Sequence, residues 1–171
     1  MFVQNLDKLA IANSYVQTTE DNGNNLTMTA FAVKDIQGNL VIPGFKVYNA
    51  VNHGYNTKIF SYDNFLFGTS DASEDYFQYN IQGDAIGIYN RTIEKYFSIA
   101  ESNGNIELTL KLGGTPGSNA TVKEIALTKN IYTSADTHEV MFYRCVLPEP
   151  ITLIAETPIN IILKITIPSI R

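Results

Sequence analysis

Ile159, Ile161, Leu163, Ile165 and Ile167 occupy every second position near the end of the chain, with Asn160, Ile162, Lys164 and Thr166 between them. A period of two belongs to the β-strand, whose successive side chains point to opposite faces. A helix would spread this row around its circumference. The segment is therefore expected as a strand, and its unbroken row as a central one.

The residues before it read the same way. Lys123 to Thr128 alternates with Ile125 and Leu127 on one face, while Glu139 to Leu147 is apolar on both, as suits a strand between two layers, and is likewise expected as a central strand. Pro148 and Pro150 carry no N–H and are expected to stop that ladder. Asn103-Gly104 suits the two positive φ angles of a tight hairpin turn. If Ser102 pairs with Asn105, Ile99 faces Leu108 and Phe97 faces Leu110, so that Ile106, Leu108, Leu110 and Leu112 form an inward row.

Further upstream, Leu26 to Val33 alternates and Gln37-Gly38-Asn39 offers a turn back into Leu40 to Tyr48, which Pro43-Gly44 interrupts as an edge or bulge would. Thr57 to Phe67 concentrates four aromatics expected in the core. Tyr76 to Tyr79, Ala85 to Tyr89 and Ile93 to Ala100 read as short strands, and Gly113 to Asn119 as a loop rather than a domain boundary. Short strands at this spacing predict one all-β domain over residues 21–171, an antiparallel β-sandwich of jelly-roll type. Residues 1–20 read as an N-terminal arm or short helix. Its apolar Phe2, Val3, Leu6 and Leu9 either cover one end of the core or dock on a neighbouring subunit. At 171 residues such a domain buries roughly two thirds of its unfolded surface, enough for a core without cross-links.

The formal net charge is −5 with no cluster of Lys or Arg, which excludes the cationic footprint that a nucleic-acid backbone requires. One cysteine, Cys145, allows no disulfide within the chain and no multi-thiolate metal site. The first residues lack the basic and apolar regions of a signal peptide, and no run approaches the ~20 apolar residues of a membrane span. Neither secretion by a signal peptide nor a membrane partner is expected.

Nucleophilic catalysis needs a nucleophile with an activating base. Cys145 with His53 or His138 is the candidate set, but Cys145 lies in an apolar strand where a thiol behaves as a small hydrophobe, and both histidines read as exposed loop residues. Asp71, Glu74 and Asp75 offer hard oxygen ligands for Ca²⁺ without the spacing of a calcium-binding loop, and a solvated acidic loop accounts for them equally. No phosphate-binding glycine motif occurs, and three glycosylation sequons, beginning at Asn25, Asn90 and Asn119, read as chance in an Asn- and Thr-rich chain. No cofactor is implied. The Tyr- and Asn-rich stretches 48–55 and 76–79 suit either stacking on sugars or packing against protein subunits.

One longer pattern is present. Lys123-Glu124-Ile125-Ala126-Leu127, a polar loop, then Tyr143-Arg144-Cys145-Val146-Leu147-Pro148-Glu149-Pro150-Ile151, a polar turn and Ile159 to Ile167 resemble the C-terminal β-sandwich segment of bacteriophage virion proteins. There a "KEIGL" strand leads to an "R-x-x-x-P-x-P-I" strand end and a final alternating strand; Ala126 stands where glycine is common. The resemblance covers residues 121–167 and implies a non-enzymatic, multi-copy part of a head (as capsid decoration or head fibre), neck or tail. Such a part is made in the host cytoplasm, resides in the virion, and has other virion proteins and copies of itself as partners. Arg144 then either meets a carboxylate across an interface or forms an ion pair within the chain. A carbohydrate- or receptor-binding module is the alternative role.

Overall fold

The computed structural model of the chain describes residues 26–27, 33–41, 44–45, 64–99, 106–132 and 137–167. Among them every regular element is a β-strand, and all strand pairs are antiparallel. In chain order the strands are β1 (Leu26–Thr27), β2 (Val33–Lys34), β3 (Leu40–Val41), β4 (Gly44–Phe45), β5 (Asn64–Gly68), β6 (Ile88–Ile99), β7 (Ile106–Pro116), β8 (Ala120–Tyr132), β9 (Thr137–Leu153) and β10 (Ile159–Ile167). The all-β expectation holds for these residues. Phe2, Val3, Leu6 and Leu9, with the arm or helix expected over 1–20, lie outside them, as does His53.

Two three-stranded sheets carry the core, one in the order β10-β7-β6 and the other β5-β8-β9. Leu108, Leu110 and Leu112 of β7 and Leu163 and Ile165 of β10 form one buried cluster with residues of the second sheet, among them Phe65, Phe67, Ile125, Leu127 and Phe142. Each such side chain contributes about 1.5–3 kcal/mol by leaving water. The expected inward rows of β7 and β10 thus lie side by side on one sheet and form one side of the seam between the two sheets. The turn after β2 also falls where expected: Gly38, at φ 87, closes it, and the Asp35 N–H bonds the Asn39 carbonyl oxygen at 3.0 Å.

Several sequence expectations are corrected. The central strands are β7 and β8; β9 and β10, expected in the centre, each pair with a single neighbour among the described residues. A period-2 row reports that one face is buried and carries no information on how many neighbours the backbone has. Nor do Pro148 and Pro150 end the ladder. Glu124 faces Val146 and Val122 faces Ile151, so residues 147–150 bulge opposite Lys123 alone and pairing then resumes. An edge strand tolerates prolines because their missing N–H need not face a partner.

The β6–β7 register differs by two positions from the one a tight Asn103-Gly104 turn would set. Ile99 faces Ile106, Phe97 faces Leu108 and Ile93 faces Leu112. A shift of two preserves the faces, and it gives Ile93 an apolar partner where the expected alignment would have placed Gly114 opposite it. Residues 100–105, where that turn is expected, lie outside the described set.

Of the strands expected separately at 85–89 and 93–100, residues 88–99 form one strand, β6, interrupted by a bulge: Tyr89 faces Thr115 and Thr92 faces Gly113, leaving Asn90 (φ 51) and Arg91 opposite Gly114 alone. Gly114 is what makes room, since a Cβ there would lie 2.4 Å from Ile88 Cγ2. Residues 113–116 therefore belong to β7, and only 117–119 turn. The bulge aims Arg91 at the other sheet, where its Nη1 donates to Asn64 Oδ1 and the Phe65 carbonyl oxygen, both at 2.8 Å. Tyr76 to Tyr79 is not a strand; it belongs to the loop between β5 and β6.

Candidate functional site

The outward face of the β5-β8-β9 sheet is covered as well, by the loop 69–83 together with Ile36 of the β2–β3 turn. Beneath it Ala126 and Thr128 of β8 and Met141 of β9 are buried, with Ile81 of the loop packed on Ala126 and Met141. Two charged residues share this layer. Glu124 on β8 is 0% exposed and Arg144 on β9 is 0% exposed, and the Arg144 Nε donates to Glu124 Oε2 at 2.6 Å. They sit diagonally on paired strands, since Arg144 faces Ala126 and Val146 faces Glu124. Long side chains bridge such a diagonal.

Two dry, opposite charges survive only when their remaining hydrogen-bonding capacity is filled. Here the loop fills it. Glu124 Oε1 accepts the backbone N–H of Gly83 at 2.7 Å and of Ser70 at 3.3 Å, and Oε2 that of Gln82 at 3.1 Å. Arg144 donates through Nη2 to the Ala72 carbonyl oxygen at 2.9 Å and through Nη1 to Gln78 Oε1 at 3.0 Å. Both ends of the loop thus converge on one carboxylate, and its middle hangs on one guanidinium. Gly68 permits the convergence, because a Cβ there would lie 2.4 Å from Glu124 Oε1.

Of the two roles open to Arg144, the geometry is that of the pair within the chain; its buried side chain presents no interface. The acids of the loop are also engaged locally. Asp71 pairs with Lys123 at 3.0 Å, Glu74 Oε1 accepts the Val146 N–H and Asp75 Oδ1 that of Phe77. Among the described residues no group of three or more His, Cys, Asp or Glu is placed to hold a metal ion. Cys145 is half-buried, and burial pushes its thiol up, away from the thiolate that a nucleophile needs. His138, expected in an exposed loop, is instead a half-buried residue of β9, seven positions from Cys145 along the strand and so about 20 Å away. These two make no catalytic pair.

His138 has another partner, which the sequence reading missed. Its Nδ1 lies 3.0 Å from Oδ2 of Asp35, which is 1% exposed at the start of the β2–β3 turn. Asp35 Oδ1 also accepts the backbone N–H of Asn39 at 2.8 Å and of Gln37 at 3.0 Å. Burial pushes this carboxyl up, but the hydrogen bonds from His138, Asn39 and Gln37 together outweigh it and hold the group below its ordinary 3.8. An acid with a depressed pKa stabilises the fold above its unfolded value and ceases to do so as the pH falls through the folded one. Acidification from above the ordinary carboxyl value of 3.8 down through the depressed one is therefore expected to release the turn. Faster hydrogen exchange at the Gln37 and Asn39 amides would report it; protection unchanged across that range would refute it.

Glu124 and Asp35 could not be singled out among 17 acids by sequence spacing. One signal was present, the small Ala126 and Thr128 on the outward row of β8, which leave room for a covering loop. Comparison with known proteins finds no matching family model, no matching curated protein and no matching solved structure.

Proposed function

We propose that this chain is a non-enzymatic structural component of a bacteriophage particle, present in several copies and docked on the head, neck or tail through protein–protein surfaces. The observation that carries this reading is the order of residues in 123–127, 143–151 and 159–167, which resembles the end of virion β-sandwich proteins. The three segments fall on the consecutive strands β8, β9 and β10.

The outward face of the β10-β7-β6 sheet offers a suitable surface. Across it Ile162, Lys111 and Glu94 align in one row and Lys164, Thr109 and Tyr96 in the next. Ile162 is 60% and Tyr96 50% exposed, around an ion pair of 3.3 Å between Lys111 and Glu94. An aromatic and an aliphatic residue among mixed charges is the composition of a docking surface rather than of a reaction centre.

Within the two-sheet class, the order β5-β8-β9 facing β10-β7-β6 follows strands C, F and G facing B, E and D of an immunoglobulin-type sandwich, with β10 in the place of B. We read the architecture as a Greek-key sandwich of that kind in preference to the jelly roll. Mass spectrometry of purified particles is expected to find the chain in several copies per particle, and cryo-electron microscopy to locate it on a symmetry-related site. Its absence from particles would sink the reading.

A further inference from the structure

We infer that the depression between the β2–β3 turn and the loop 75–82 is a binding site for a neutral saccharide. This rests on residues separate from the proposed docking face and is independent of whether the chain belongs to a particle. The depression measures about 400 Å³ and is lined by Gln37 on one side and by Asp75, Phe77, Tyr79, Asn80 and Gln82 on the other. That volume suits one or a few sugar rings.

Phe77 is 68% exposed, an unusual cost for a large apolar ring within an otherwise polar loop. A sugar ring presents a patch of C–H groups that stacks on an aromatic face, with hydroxyls around its rim that need planar donors and acceptors. The depression supplies both. Asn80 Oδ1 accepts the Ile81 N–H and leaves the amide NH₂ to donate, Gln82 Nε2 reaches the Asn80 carbonyl oxygen and leaves Oε1 to accept, and Asp75 uses one carboxylate oxygen on the Phe77 N–H. Gln37 meets Asp35 through its backbone N–H, and the residue is exposed at the turn. Among the described residues no Lys or Arg lines the depression and the one charge that does, Asp75, is negative, which selects against phosphorylated and acidic ligands.

The site is held in shape before any ligand arrives. The Arg144–Glu124 pair fixes the loop through Gln78, Gln82 and Gly83, and Tyr79 is seated against the opposite turn, with Lys34 Nζ 5.1 Å from its ring centroid and Gly38 so close that a Cβ there would approach the ring to 3.3 Å. Tyr76 braces Phe77 edge to face, with ring centroids 5.2 Å apart. A prearranged site spends little of its binding free energy on ordering itself.

Saturation-transfer difference NMR of the whole chain tests this, with neutral methyl glycosides and short oligosaccharides of glucose, galactose, mannose and N-acetylglucosamine as probes. At least one probe is expected to show transfer to its ring C–H protons. Phe77→Ala is expected to weaken its binding at least tenfold and Asn80→Ala several-fold, whereas Tyr96→Ala on the other sheet leaves it unchanged. Both loop side chains point to solvent or the depression, and circular dichroism checks that the variants stay folded. No transfer to any probe, transfer undiminished in Phe77→Ala, or tighter binding of sialylated than of neutral probes would each overturn the inference.

Discussion

Glu124→Ala is expected to destabilise the protein by about 3–5 kcal/mol, because it leaves the Arg144 guanidinium buried without its counter-charge. The same change removes the acceptor for the backbone N–H groups of Ser70, Gln82 and Gly83. Two measurements separate these consequences. Equilibrium denaturation in urea reports the total loss, and limited proteolysis within residues 71–79 reports the opening of the loop. In Glu124→Leu with Arg144→Met the uncompensated charge is gone, so the total loss is expected to be clearly smaller than in Glu124→Ala. The loop is nonetheless expected to be cleaved faster, since its amides still lack an acceptor. A double variant as unstable as the single one would show that the pair is not what makes Glu124 necessary.

Phe67→Ala is expected to cost about 3–5 kcal/mol through lost transfer free energy and the cavity it leaves. Phe67 is 0% exposed on β5, its ring centroid lies 4.8 Å from that of Phe65, and its neighbour across the ladder is Ile125 of the central strand β8. The void would open between the two sheets at a place where neither can close on it, because β5 is pinned by Arg91 from the opposite sheet. Phe67→Leu, which restores most of the volume, is expected to recover a large part of the loss. Urea denaturation with an unchanged slope and a lowered midpoint is the expected signature. A midpoint unchanged in Phe67→Ala would place the ring outside the cooperative core.

The buried pair also holds the depression in shape. Loosening the loop 69–83 should weaken any ligand held by Phe77 and Asn80 without touching those residues, since both hang on the segment that Arg144 and Glu124 anchor.

The residue pattern alone determined that β7, β8 and β10 are strands and which of their side chains face the core. Leu108, Leu110 and Leu112 of β7, Ile125 and Leu127 of β8 and Leu163 and Ile165 of β10 were legible because burial on one face of a strand must repeat every second residue. The turn at Gly38 was legible because its backbone conformation favours glycine locally. What depends on partners distant in the chain was not. The pairing of β10 with β7 alone among the described residues, the continuation of β9 past Pro148 and Pro150, and the two-residue shift between β6 and β7 follow from which strands lie beside which, and periodicity is the same in every such arrangement. The meeting of Glu124 with Arg144, and of Asp35 with His138 103 positions away, was likewise decided only by the tertiary structure. A charge in a sequence shows that it needs a partner once buried; folding alone chooses the partner and decides whether the charge is buried at all.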